Sequence, residues 1–300
     1  MNACLFSRNS SPARAQRTVA LAVWLLIAAP LLLGGALWTA RAAPAAQGTP
    51  PVRLPYDAPF DAPHRAGAAS LGERSTALTA PEYASWSKLV FQSARNEQDW
   101  EVYSAAGDGS DQVNLSNDGA MDVHPRLDRA AARLAFASDR HGNFDIFVAN
   151  ADGSVQTRLT DDGADDVSPA WSPDGGRLAF QAYRDGQAEI YLMNADGSGQ
   201  ARLTSHDDYD GQPAWSPDGS QIAFVRRASG EYHIWAMNAD GSNQRPLSNQ
   251  PYSEGPAWSP DGSQIAYDCD GDGDGWQEIW LMDAGGGNQR QVYDPPESYT

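Results

Sequence analysis

Between Ala170 and Pro213 the apolar positions fall in short alternating runs divided by turn residues. Ala170-Trp171-Ser172 reads as a strand, and Pro173-Asp174-Gly175 turns it, since proline presets φ, aspartate bonds its own backbone and glycine accepts a positive φ. Arg177–Gln181 is a second strand with Leu178 and Phe180 on one face, and Arg184-Asp185-Gly186 turns again. Glu189–Met193 is a third strand, Ala195–Ser198 a third turn and Gln200–Thr204 a fourth strand. One such stretch predicts a four-stranded antiparallel unit, and no segment from residue 81 onward has the 3.6-residue period of a helix.

The unit repeats. Ala-Trp-Ser-Pro-Asp-Gly stands at Ala170–Gly175, Ala214–Gly219 and Ala257–Gly262, and a degenerate copy, Arg126–Ala131, keeps the register one period earlier. Phe91, Phe136, Phe180, Phe224 and Tyr267 are 45, 44, 44 and 43 residues apart. Asp-Gly-Ser recurs at Asp108, Asp152, Asp196 and Asp240, with Gly285-Gly286-Gly287 in its place in the last copy. A period in the low forties is that of a propeller blade. The expectation is an all-β chain, a β-propeller of four-stranded antiparallel blades, with five repeats near 85–125, 126–169, 170–213, 214–256 and 257–300. Those repeats make either a five-bladed ring or part of a larger one, and Leu78-Thr79 resembles a fourth-strand ending that would close a ring beside the last blade.

The N-terminal part differs in kind. Residues 1–80 hold 7 basic and 3 acidic groups, which leaves 14 and 36 of the chain's 21 and 39 for residues 81–300. A body so acidic repels phosphates and anionic lipid, which argues against nucleic-acid binding and favours cations or basic protein patches. Arg8, Arg14 and Arg17 precede the apolar run Val19–Trp38, and Ala40-Arg41-Ala42 follows. This predicts an export signal in residues 1–42, cleaved after Ala42 or retained as a membrane anchor, and a periplasmic or extracellular address. The Ala- and Pro-rich residues 43–80 read as a disordered linker, and residues 81–300 as the propeller. Cys269 is the one cysteine beyond the signal, so no internal disulfide is expected.

The Ala-Trp-Ser-Pro-Asp-Gly-x-x-Ile/Leu-Ala-Phe opening, the Glu/Asp-Ile-Tyr/Phe/Trp middle and the Asn-Ala-Asp-Gly-Ser-x-Gln-x-x-Leu-Thr close resemble the TolB-like, WD40-like (PD40) β-propeller repeat family over about residues 85–300. The resemblance implies the propeller fold and a scaffold that binds a protein or peptide partner. Similar repeats also serve propeller-bearing serine peptidases of the prolyl-oligopeptidase kind and glycan-active propeller enzymes, which are the alternatives. The α/β domain that precedes the propeller in TolB has no counterpart in residues 1–80.

Two patterns carry candidate chemistry. Asp268–Glu278 lengthens one hairpin by two residues, with Asp270, Asp272 and Asp274 alternating, Gly275 at the bend, Glu278 at the ninth position and Trp276 offering a carbonyl. Hard oxygens at that spacing suit a structural Ca²⁺; the plain alternative is a solvated acidic hairpin in which Glu278 fills the repeat position of Glu101, Asp145 and Glu189. The second pattern is Asp122, Asp166 and Asp210, each three residues before a proline, with Glu254 nearly equivalent. They predict a partial acidic ring on the channel face for a partner with a basic patch, or side chains that simply bond their own turns. Trp171, Trp215 and Trp258 are expected between blades, and His124, His141, His206 and His233 on the surface or in turns. Gly-x-Ser-x-Gly is absent and no catalytic set stands out, which favours a non-catalytic module.

Overall fold

The computed structural model describes residues 88–95, 99–184, 186–271 and 277–294. The expected signal, linker and ring-closing segments lie outside the described residues. Within them there is no helix, and nineteen strands form five sheets in chain order. The first holds β1 (Leu89–Ser93), β2 (Glu101–Ala105) and β3 (Val113–Asn114). The second holds β4 (Asp122–Leu127), β5 (Arg133–Ser138), β6 (Asp145–Asn150) and β7 (Thr157–Arg158). The third holds β8 (Asp166–Trp171), β9 (Arg177–Ala182), β10 (Glu189–Asn194) and β11 (Ala201–Arg202). The fourth holds β12 (Asp210–Trp215), β13 (Gln221–Ala228), β14 (Glu231–Asn238) and β15 (Arg245–Pro246), and the fifth β16 (Glu254–Trp258), β17 (Gln264–Cys269), β18 (Glu278–Asp283) and β19 (Arg290–Tyr293).

Every pairing is antiparallel between sequence neighbours, so each sheet is an up-and-down meander. The opening strands β4, β8, β12 and β16 pack successively on one another, which sets them around a common axis. The result is a five-bladed propeller. Turns after the first and third strands lie at one end of each blade, and turns after the second strand, with the blade-to-blade loops, lie at the other.

The opening phrase of the repeat is a hydrogen-bonded turn. Ser172 Oγ accepts from Arg177 N at 2.9 Å and donates to Asp174 Oδ1 at 2.6 Å, which also accepts from Gly176 N at 2.9 Å. Ser216-Asp218 and Ser259-Asp261 repeat the arrangement. In the degenerate second blade Asp128 replaces the serine, taking Ala132 N at 2.8 Å and Arg133 N at 3.2 Å itself. The closing phrase joins blades: Gln156, Gln200, Gln244 and Gln289 each donate Nε2 to the main-chain oxygen of a leucine in the preceding blade, at 2.8–3.4 Å.

Each apolar cluster crosses from blade to blade, as when Ile190 of the third packs with Trp215, Ile222 and Phe224 of the fourth. Trp171, Trp215 and Trp258 are buried there. Trp171 Nε1 donates to Arg126 O at 3.2 Å and Trp258 Nε1 to Ala214 O at 3.1 Å, both in the preceding inner strand. Trp215 Nε1 is buried with no hydrogen-bond partner among the described residues. We expect Trp258→Phe to lower stability about 1 kcal/mol more than Trp215→Phe, because only the former gives up a formed hydrogen bond; equal midpoints in urea would refute this.

Candidate binding face

Every inner strand of blades two to five carries a bulge. The register with the second strand slips between Val123 and Arg126, Val167 and Ala170, Gly211 and Ala214, and Glu254 and Ala257. One residue in each slip is left-handed, with φ of 54°, 52°, 52° and 60° at His124, Ser168, Gln212 and Gly255. The proline that follows brings no N–H to the interrupted ladder, so the bulge leaves no donor stranded there. The bulges touch from blade to blade. His124 N donates to Gln92 Oε1 at 2.8 Å, Ser168 Oγ lies 3.3 Å from His124 Nδ1, and Gly255 N donates to Gln212 Oε1 at 2.8 Å. His124 is thus buried, with Gln92 of the first blade and Ser168 of the third beside it, rather than on the surface, and that burial drives its pKa down to about 3, which keeps the ring neutral.

Asp122, Asp166 and Asp210 begin the inner strands and are fully buried. None bonds its own turn; each faces an arginine at the far end of the second strand. Asp166 accepts from Arg184 Nη2 at 2.7 Å, Asp210 from Arg226 Nη2 at 2.6 Å and Asp122 from Arg140 Nη2 at 3.1 Å. The arginines lie over aromatic pairs of the second and third strands: Arg140 is 4.4 Å from the Phe147 ring, Arg184 4.8 Å from Tyr191 and Arg226 4.6 Å from Trp235. They also reach Gln156, Gln200 and Gln244, the same glutamines that bond the preceding blade. Burial outweighs the arginine in setting Asp166, whose pKa is pushed up to about 6.

The fifth blade departs from this scheme. Its aromatic pair is Tyr267 and Trp280, and the Tyr267 hydroxyl, 3.3 Å from Gln289 Oε1, takes the place of the guanidinium. Glu254, buried, sits opposite Asp268 across one rung of the sheet. Burial first and then the Glu254 charge raise the Asp268 pKa to about 7.

The four acids singled out from the spacing are therefore covered, and Asp122, Asp166 and Asp210 each face an arginine. Among the described residues of the loops leading into the inner strands, the acids that reach solvent are Asp118, Asp161, Asp162 and Asp207, and Glu231 is exposed at the same end, directly after the turn that follows the second strand of the fourth blade. The available signal was weak: Asp118-Gly119 and Asp162-Gly163 stand four residues before the buried aspartates, within polar loops that look like any others. Of the calcium hairpin, Asp272, Asp274 and Trp276 lie outside the described residues. Glu278 is buried, and its Oε2 accepts from Gly271 N at 2.9 Å and Trp280 Nε1 at 3.4 Å.

Solved structures with similar architecture include the putative TolB of Agrobacterium tumefaciens, 24% identical, with a TM-score of 0.59 over 65% of this chain and 74% of that one. TolB of Acinetobacter baumannii is 19% identical, with a TM-score of 0.63 over 71% of this chain and 54% of that one, so the chain spans about half its length. An oligogalacturonate lyase of Vibrio parahaemolyticus is 16% identical, with a TM-score of 0.53 over 70% and 62%. At these identities the likeness is one of fold. None of the curated proteins matches the chain. The profile of the TolB beta propeller domain matches residues 70–297, most of the sequence, and the chain belongs to that family.

Proposed function

We propose that this chain is an exported, non-catalytic binding module that receives a protein or peptide with a basic patch on the channel face, at the end where the blade-to-blade loops gather. The observation that supports this most is the exposure of Asp161, Asp162 and Asp207 in two consecutive loops at that end. Asp162 is partly engaged by Arg184. Solvent-facing charge of one sign steers an oppositely charged partner and sets its orientation more than it adds affinity. Burial and pairing keep Asp122, Asp166 and Asp210 from contributing directly, so their role is to hold the loops in place. The N-terminal charge and hydropathy pattern supports export.

A fluorescent lysine- and arginine-rich peptide serves as the probe. The triple change Asp161→Asn, Asp162→Asn and Asp207→Asn should weaken its binding by roughly tenfold at low salt, and raising the salt should narrow the gap as screening removes the same charges. Affinity that is unchanged by the triple variant would overturn this reading.

A further inference from the structure

We propose that the junction of the first and second blades binds a divalent metal ion, of which Ca²⁺ fits best, through Glu101, Asp118 and Asp122. One oxygen from each of the three carboxylates lies within 4.8 Å of the others. Calcium–oxygen bonds of about 2.3–2.6 Å place opposite ligands about 5 Å apart, so the cluster has the span of a hard-cation site.

The repeats show what is particular about this junction. At the next one, Asp145, Asp162 and Asp166 are served by two arginines: Arg158 Nη2 is 2.8 Å from Asp145, and Arg184 contacts both others. At the third, Glu189 has Arg202 at 2.6 Å and Asp210 has Arg226. Arg158 and Arg202 occupy one place in the repeat, opposite Phe147 and Tyr191 in the sheet register. The same place in the first blade, opposite Tyr103, is Asn114. Its side chain accepts from Ser116 N and Asn117 N and carries no charge. Among the described residues, the one arginine paired with these three carboxylates is therefore Arg140, which contacts Asp118 and, at 3.1 Å, Asp122 Oδ1.

A second observation is independent of that count. Asp122 is fully buried, and its Oδ2 has no hydrogen-bond partner among the described residues. A buried carboxylate oxygen without a partner is costly, and a cation is the partner that the neighbouring oxygens can share. Glu101 is already oriented, its Oε2 accepting from Ser116 Oγ at 2.5 Å and Asn117 N at 2.8 Å. Asp118 is exposed, which gives an ion its entrance and leaves room for water ligands. Arg140 is held independently by Ser138, Gln156 and the Phe147 ring, so an ion need not expel it.

The test is Ca²⁺ titration of the full chain by calorimetry, with melting curves in CaCl₂ and in chelator. We expect binding and a raised Tm in the wild type. Asp118→Asn should weaken binding at least tenfold, and Asn114→Arg, which installs the arginine of the later blades, should abolish the response while leaving the metal-free Tm equal or higher. Asp272→Asn, in the fifth-blade hairpin, should keep this response. No Ca²⁺ binding, binding unaltered by Asp118→Asn, or loss only in Asp272→Asn would each overturn the assignment. Should Asn114→Arg fail to fold, Asp118→Asn alone decides.

Discussion

Asp210→Ala is expected to lower the stability of the propeller by about 3–5 kcal/mol, a large share of the roughly 5–15 kcal/mol that holds a typical domain together. The carboxylate is fully buried and bonds Arg226 through both oxygens, Oδ1 to Nε at 2.7 Å and Oδ2 to Nη2 at 2.6 Å. Removing it leaves a buried guanidinium with Gln244 and two aromatic faces but no counter-charge. The loss should not be read as the worth of the pair. Burial raises the Asp210 pKa in spite of Arg226, so withdrawing the charge from water costs more than the arginine returns. The paired change Asp210→Leu with Arg226→Met should accordingly recover most of the stability. Urea unfolding of the single and double variants checks both parts, and a single variant within about 1 kcal/mol of wild type would show the site to be wetter than its geometry implies.

This network also shows where the sequence was readable and where it was not. The repeat spacing exposes the blades because both the four-strand meander and its turns need particular residues at particular places: Ser172 and Asp174 make the first turn, and Gln200 bonds the previous blade. The tryptophans were readable for the same reason, since a large ring recurring in an inner strand has neighbouring blades on both sides. The aspartates at the start of those strands were legible as a set but not in role. Their partners, Arg140, Arg184 and Arg226, lie 16 to 18 residues further on and become neighbours only through the register of the first two strands. The bulge that buries His124 was equally hidden, because it depends on φ and on a ladder slip that no residue type enforces: histidine, serine, glutamine and glycine all occupy it. The shortage of cations around Glu101 appears only when Asn114 is placed against Arg158 and Arg202 in register.

Gly153→Ala should be far more damaging than Gly163→Ala, although the two glycines have nearly the same φ, 84° and 86°. Forcing alanine into that left-handed conformation costs on the order of 1 kcal/mol in either case. Around Gly163 an added Cβ meets nothing within 4 Å, so the cost ends there. At Gly153 it would stand 2.5 Å from the main-chain oxygen of Leu115 and 3.0 Å from that residue's Cα. The obstacle is the backbone of the preceding blade, which cannot rotate away as a side chain would. Either the turn lifts, and Gln156 loses its bond to Leu115 O, or the two blades separate and uncover the cluster of Leu115, Leu134 and Phe136. An additional 2–3 kcal/mol, roughly, is expected from that overpacking. The same approach recurs at Gly197, Gly241 and Gly286, where an added Cβ would stand 2.7–2.9 Å from a leucine oxygen, which explains why the last blade keeps a glycine where Asp-Gly-Ser has become Gly-Gly-Gly. Chemical unfolding of the two alanine variants decides the matter. If they prove equally stable, the blades are not packed backbone to backbone at these turns, and the glycine spacing reflects turn geometry alone.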